Sequence, residues 1–99
     1  MMLVRIVKLN IKKENIAKFE AIFAETKAYI RNSEGCLLLE LYQENQNPSL
    51  FFTYSHWEDE SFLDKYRQSP FFRDVWGRTK QLFAAAPEAW SVHKLESLD

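Results

Sequence analysis

The sequence predicts an α+β domain, in which four strands form one antiparallel sheet and two helical segments cover one face of it. Two observations lead to this fold class. Four segments are rich in β-branched, aromatic and leucine residues of the kind found in strands. Two of the intervening segments place apolar residues at the spacing of an amphipathic helix. A chain of 99 residues suffices for one such domain over residues 1–99.

The first half of the chain predicts a strand, a long helix and a defined helix end. The strand covers residues 3–10 and carries apolar residues on both faces. A helix follows over residues 13–31, and Gly35 after it suits the left-handed conformation that ends many helices. The apolar stripe of this helix comprises Ile16, Phe19, Ile22, Phe23, Thr26, Tyr29 and Ile30.

The second half predicts a hairpin, a broken helix and a last strand. Residues 36–44 and 49–57 are joined by the turn-forming Asn45-Gln46-Asn47-Pro48, which favours an antiparallel hairpin. Asp59 is a good N-cap for a helix that begins at Glu60. Ser69-Pro70 interrupts this helix and starts its second part, which continues to residue 85. With a final strand over residues 89–95, the order βαββαβ is that of the ferredoxin-like fold.

Charge and cysteine content exclude several classes of protein. The formal net charge is −1 and the charges are interspersed, so we expect neither a nucleic-acid partner nor an anionic membrane surface. Cys36 is the single cysteine and cannot form an intramolecular disulfide. The apolar residues 1–4 are soon followed by Arg5 and Lys8. We therefore expect no signal peptide, no membrane span and a cytoplasmic location.

Aromatic residues are unusually frequent. They make up 15% of the chain, with eight Phe, four Tyr and three Trp. Each ring buries a large area, and a small domain has limited room for them. They therefore form an aromatic core, line a pocket or cover a subunit interface, and composition alone leaves these possibilities open.

Sequence signatures of common active sites are missing. Gly35 and Gly77 are too far apart for a nucleotide-binding loop, and no Ser–His–acid signature occurs. His56 and His93 are the only imidazoles. A site that joins them with a carboxylate such as Glu58 is conceivable, but the ligand spacing of known metal sites is missing. We therefore expect no metal site.

Trp57 and Tyr66 are the most informative aromatic pair. Trp57 ends the third predicted strand, and Tyr66 follows nine residues later in the next helix. Packing of the strand end against the helix is sufficient to explain both residues. A second interpretation places the indole and the phenol at the mouth of a pocket between sheet and helices. A small flat aromatic ligand could stack there and form a hydrogen bond.

A longer pattern around this pair resembles a known family. The strand that ends in Trp57, the acidic turn and helix to Tyr66, and the following Ser69-Pro70-Phe71 resemble the signature of the antibiotic biosynthesis monooxygenase (ABM) family. The βαββαβ order and the terminal Ala89-Trp90-Ser91-Val92 are also similar, so the resemblance covers nearly the whole chain. It implies a dimeric α/β barrel with a mostly apolar pocket on the helix-covered side.

The resemblance implies more than one activity. Some members oxidise phenolic or quinol-type substrates with O₂ and no metal or flavin, others bind and degrade haem, and many have no known activity. Members often carry His at the position of Tyr66, and haem-degrading members use a helix His and an Asn on the first strand. Here the helix offers Tyr66 and Arg67, and Asn10 lies at the end of its strand. This disfavours haem degradation, although a Tyr can ligate haem iron.

The favoured hypothesis is a cofactor-independent monooxygenase that oxidises a phenolic or quinol-like compound with O₂. In it Tyr66, a poor base near neutral pH, hydrogen-bonds the substrate oxygen, and Arg67 or His56 stabilises the substrate anion. The predicted substrate-binding residues are Trp57, Phe71, Trp76 and Phe23. The alternative is a non-catalytic dimer that binds a small aromatic metabolite or a protein partner through the same pocket.

The strands also predict a second subunit, because both faces of the sheet carry apolar residues. One layer of helices covers a single face, and an open apolar face is a liability in a monomer. We therefore expect a C₂ homodimer in which the sheets pack face to face and residues 89–95 reach towards the partner. A one-residue change in register exchanges the two faces, so the sequence does not decide which of two residue sets the helices cover. The sets are Val4, Ile6, Leu38, Phe52 and Tyr54, and Leu3, Val7, Leu39, Leu41 and Phe51.

Overall fold

The helices and the sheet follow the predicted α+β, ferredoxin-like arrangement. The computed structural model describes residues 2–99, in which three helices accompany a four-stranded antiparallel sheet. A short 3-10 turn, Lys13–Asn15, precedes the first helix. The elements are β1 (Leu3–Asn10), α1 (Ile16–Arg31), β2 (Cys36–Gln43), β3 (Leu50–Trp57), α2 (Glu60–Arg67), α3 (Pro70–Lys80) and β4 (Glu88–Val92).

Local hydrogen bonds set the starts of α2 and α3 where the sequence predicts them, whereas α1 begins at Ile16 and not at residue 13. The Asp59 carboxylate accepts a hydrogen bond from the backbone N–H of Ser61 at 3.0 Å and so caps α2. The Ser69 hydroxyl accepts one from the N–H of Phe72 at 3.1 Å, and Pro70 occupies the first turn of α3. Gly35 has a φ of +81°, and a Cβ there would overlap the Phe62 ring. The break in the helix and the turn after α1 are therefore encoded locally.

The C-terminal ends of α3 and β4 fall well short of the sequence prediction, because residues distant in sequence bind the backbone. α3 ends at Lys80, well before residue 85. The cause is that the N–H of Ala84 donates to the Asn10 carbonyl at 2.7 Å, and Phe83 bridges to Ile11. β4 ends at Val92, because Val92 pairs with Val4 near the start of β1 and little strand remains beyond it.

The register of the sheet decides which face the helices cover. The strand order is β2-β3-β1-β4, and β1 pairs with β3 so that Val7 lies opposite Thr53. Because side chains alternate along a strand, this register assigns each predicted set to one face. The covered set is Leu3, Val7, Leu39, Leu41 and Phe51. The set on the opposite face, called here the open face, includes Val4, Ile6, Leu38, Phe52 and Tyr54.

The buried core consists of two clusters at opposite ends of β1. One cluster comprises Leu9, Ile11, Phe19, Phe51 and Leu82. The other comprises Leu3, Cys36, Trp57 and Leu63. The space between the clusters, over the middle of the sheet, is where a site can form. Among residues 2–99 no helix has both the length and the apolar character needed to cross a bilayer.

Candidate functional site

A cavity of about 130 Å³ lies between the helices and the centre of the sheet. It exists because the covered face has short side chains at its centre, whereas the two clusters place large residues at its ends. Val7, Thr53 and Ser55 are these short residues. The complete lining is Val7, Leu9, Phe19, Ile22, Phe23, Thr26, Ile30, Leu39, Thr53, Ser55, Tyr66, Phe72, Val75, Trp76 and Thr79.

The polar groups of the cavity are mostly bound to the protein itself. The Thr26 hydroxyl donates to the Ile22 carbonyl at 2.8 Å, and the Thr79 hydroxyl donates to the Val75 carbonyl at 2.7 Å. The Ser55 hydroxyl accepts the indole N–H of Trp57 at 3.0 Å. The lining contains no carboxylate, imidazole, amine or guanidinium. The cavity therefore suits a largely apolar ligand.

Tyr66 is the titratable side chain of the cavity. Its ring lies 5.4 Å from that of Trp57 and packs edge-on against Phe72 at 5.2 Å. Burial, with smaller effects from Cys36 and Tyr29, raises the pKa of Tyr66 well above its usual value of 10.0. The phenol therefore stays protonated at neutral pH and is a hydrogen-bond donor for a ligand, not a base.

Tyr66 also borders a second, open cleft of about 470 Å³. This cleft lies between the C-terminal end of α1 and helix α2, and Tyr29, Ser33, Phe62 and Lys65 are among its walls. A Lys65–Glu34 ion pair of 3.2 Å links α2 to the turn after α1 at the surface. Since Tyr66 lines both spaces, its ring lies between the outer cleft and the inner cavity.

Comparison with known proteins now fixes the family. The sequence pattern described as antibiotic biosynthesis monooxygenase matches residues 2–76, most of the chain. The chain belongs to the ABM family. No curated protein matches it at a significant level.

Solved structures have the same fold over nearly the whole chain. A conserved protein from Methanosarcina mazei Go1 is 25% identical, with a TM-score of 0.88 over 95% of this chain and 94% of that chain. Rv0793 from Mycobacterium tuberculosis is 14% identical, with a TM-score of 0.89 over 100% of both chains. SnoaB, a cofactor-independent oxygenase from Streptomyces nogalater solved as a mutant, is 18% identical, with a TM-score of 0.88 over 98% of this chain and 96% of that chain.

The structure brings three of the predicted site residues of this ABM member together. Tyr66, Trp76 and Phe23 all line the cavity. Trp57 lies behind Tyr66, is 1% exposed and belongs to a core cluster. It therefore acts on the cavity through its contacts with Tyr66 and Ser55 and does not form a wall itself.

Phe71 does not reach the cavity. Its ring stacks on that of Tyr29 at 3.7 Å between centroids, and the next residue, Phe72, forms the wall in its place. The side chains of successive helix residues point about 100° apart, so an error of one position in the sequence prediction selects a residue on a different side of the helix. The structure therefore places Phe72, and not the predicted Phe71, in the cavity wall.

His56 and Arg67 are also not brought to the cavity. His56 alternates with Ser55 and Trp57 along β3 and so faces the open side, where it packs edge-on against Tyr54 at 5.0 Å. Its buried Nε2 has no hydrogen-bond partner within residues 2–99. Arg67 lines a different cleft, which also contains Arg5. The placement supports neither residue as the group that stabilises an anion in the cavity.

The small polar residues of the site are not among those that the sequence pattern predicted. Thr53 and Ser55 stand between Phe51 and Trp57 on the same face of β3 and leave the central space. A strand face that is large at both ends and small in its middle is the signal that would have indicated a cavity. Within residues 2–99, no three His, Cys, Asp or Glu side chains cluster as metal ligands do.

Proposed function

We propose that this ABM member is a cofactor-independent monooxygenase that oxidises a single-ring phenolic or quinol-like compound with O₂. The observation that carries the proposal is an apolar cavity with one protonated phenol, that of Tyr66, at its edge. Its volume of about 130 Å³ is close to the roughly 150 Å³ of an engineered cavity that binds benzene, so one ring fits. Family membership and the shared fold with the oxygenase SnoaB support the same reaction class.

The reaction proposed for a hydroquinone balances without a cofactor. The deprotonated quinol transfers an electron to O₂ and becomes a radical. This radical combines with the reduced O₂, and the new carbon–oxygen bond gives a hydroperoxide on the ring. The O–O bond then breaks, one oxygen stays on the ring and the other leaves as water. The sum is hydroquinone plus O₂ giving hydroxyquinone plus water. The protein contributes a largely apolar pocket, orientation by Phe72 and Trp76, and a hydrogen bond from Tyr66 to the substrate oxyanion.

The source of the anion follows from the composition of the cavity. Because no carboxylate or imidazole lines it and Tyr66 stays protonated, the substrate has to lose its proton to water or enter as the anion. We therefore expect the rate to rise with pH towards the phenolic pKa of the substrate, about 10 for a simple phenol. A plateau that begins near neutral pH would instead indicate a protein base.

The direct test measures O₂ uptake by purified, metal-free protein with a panel of hydroquinones and polyphenols. Isotopically labelled O₂ should place one labelled oxygen in the product and one in water, whereas hydrogen peroxide would indicate simple autoxidation. Tyr66→Phe should lower turnover by roughly tenfold or more, the effect of one hydrogen bond to a charged group. Tyr42→Phe, on the open face, serves as the matched control. Uptake no faster than background with every substrate rules the proposal out.

A second candidate is a protein that binds a small aromatic compound without converting it. The absence of a base among the cavity residues favours this function. Thermal-shift measurement with the same panel separates the two. Stabilisation by a hydroquinone with no O₂ uptake would identify a binding protein.

We further propose that the open face is the interface of a C₂ homodimer. Tyr42, Trp90 and Val92 on this face are 51%, 44% and 38% exposed, and Ile6 and Tyr54 lie between them. This face also carries the charged Lys8, Glu40 and Glu88, but exposed apolar side chains of this size are rarely left to solvent in a monomer, and a second copy presents the same surface by symmetry. Light scattering on dilute protein tests the assembly. We also propose a cytoplasmic location, which suits the buried free thiol of Cys36.

A further inference from the structure

A third cleft, which shares Val7, Phe72 and Trp76 with the cavity lining, carries two arginines. It has a volume of about 200 Å³ and lies between α2, α3 and the edge strand β4. Arg5 reaches it from β1 and Arg67 from the last turn of α2. The rest of its lining is apolar and comprises Val7, Leu63, Phe72, Trp76, Pro87 and Ala89.

The two guanidinium groups are not neutralised by the protein. Neither Arg5 nor Arg67 forms an ion pair within residues 2–99, where the ion pairs involve Lys8, Lys65 and Arg78. Arg5 donates one hydrogen bond, to the Ser91 hydroxyl at 3.0 Å, which fixes its position over β4. Burial and the charge of Arg67 both lower the pKa of Arg5.

Asp64 is the acidic side chain that acts on Arg5, and it lies one turn before Arg67 on α2. Its charge raises the pKa of Arg5 and partly offsets the effect of Arg67, but it pairs with neither arginine. Two guanidinium groups and one carboxylate leave a net positive cleft with an apolar floor. Guanidinium groups bind carboxylates through paired hydrogen bonds, and apolar floors hold the body of an organic ligand.

We propose that this cleft binds a small organic carboxylate, whose carboxylate lies between Arg5 and Arg67 and whose apolar body packs on Phe72 and Trp76. These two rings stack at 5.9 Å and 10° and also line the inner cavity, so they form the wall between the two spaces. The carboxylate site is independent of the reaction proposed above, because it needs no chemistry in the cavity.

The test uses benzoate as the carboxylate, benzamide as its neutral counterpart and inorganic phosphate as a bare anion, all titrated at fixed ionic strength. Benzoate should bind saturably by calorimetry and shift the NMR amide signals of Leu63 and Ala89 more than those of Thr26 and Thr53, which report on the cavity. Benzamide as tight as benzoate, phosphate as tight as benzoate, or shifts confined to Thr26 and Thr53 would each overturn the proposal.

Substitution of Arg67 gives the second readout. Arg67 is exposed, so Arg67→Gln should leave the fold intact and weaken benzoate binding by roughly tenfold or more. Arg73→Gln, an exposed arginine of α3 outside the cleft, is the matched control and should change binding less than twofold. Arg5→Gln should match Arg67→Gln in its effect on binding. Equal losses in Arg67→Gln and Arg73→Gln would show a general charge effect and contradict the site.

Discussion

The two faces of the sheet are built from the same strands and have opposite surroundings. On the covered face Trp57 is 1% exposed, packs against Tyr66 and donates its indole N–H to Ser55. On the open face Trp90 is 44% exposed and lies opposite Ile6. Both tryptophans end up on strands that the sequence marks as apolar. The two tryptophans lie on different faces of the sheet, so the face of the sheet, and not the residue type, decides whether a ring is buried or exposed.

The faces also differ in how size varies along the strands. The covered face is large at its ends and small at Val7, Thr53 and Ser55, so it encloses a cavity. The open face carries the rings of Phe52 and Tyr54 at alternate positions of β3, beside Lys8 of β1 and Glu40 of β2. A face with a gap suits a ligand, whereas exposed apolar rings with charged groups among them suit another protein surface.

The tryptophan pair gives the largest expected contrast. Trp57→Ala should lower the free energy of unfolding by about 3–5 kcal/mol, since it removes a fully buried ring. Trp90→Ala should cost less than about 1 kcal/mol within one subunit, because much of its ring is already exposed. Urea denaturation of both variants, at a dilution at which the proposed dimer is dissociated, measures the contrast. Equal losses at that dilution would mean that the two faces are equally buried within one subunit.

The proposed interface on the open face can be tested with one charge. Tyr54→Lys should raise the dimer dissociation constant by roughly a hundredfold or more, because it places an unpaired charge at the centre of the contact. Tyr29→Lys, at a 57% exposed tyrosine of α1, is the matched control and should leave the dimer unchanged. Sedimentation or light scattering over a dilution series gives both constants. A wild-type protein that is already a folded monomer at micromolar concentration refutes the interface.

Filling the cavity tests whether the covered face binds a ligand through its central space. Thr53→Leu places a larger side chain in the central gap and should weaken hydroquinone binding by roughly tenfold or more, while stability changes by less than about 1.5 kcal/mol. Thr53→Val keeps the shape of the wall and should retain binding. Calorimetric titration of the two variants decides the matter. Loss of binding in both would point to the hydroxyl of Thr53 instead of the space.

The smallest expected effect is the response of the covered face to high pH. Because the pKa of Tyr66 is raised in the folded protein, ionisation of the unfolded chain above pH 10.0 favours unfolding, and no such effect operates below that pH. The wild type should lose at most about 1.4 kcal/mol per pH unit from this group above that point. Tyr66→Phe should lose less over the same range, measured by denaturation at each pH. An identical slope in the variant would show that Tyr66 ionises freely when folded.

Sequence by itself determined the features that depend on neighbouring residues. The caps at Asp59 and Ser69, the left-handed Gly35 and the hairpin between β2 and β3 rest on hydrogen bonds and backbone preferences within a few positions. The periods of 2 and 3.6 predicted which segments are strands and helices, and with the ABM resemblance this gave the family.

Tertiary structure decided everything that depends on which way a side chain points. The register of β1 against β3 sent His56 to the open face and Ser55 into the cavity, although both are polar neighbours on one strand. Phe71 stacks on Tyr29, whereas the next residue of α3, Phe72, lines the cavity. The arginine cleft joins Arg5 and Arg67, which are far apart in the sequence. Such contacts are set by how separate elements pack, a balance of long-range contacts that no local pattern of residues records.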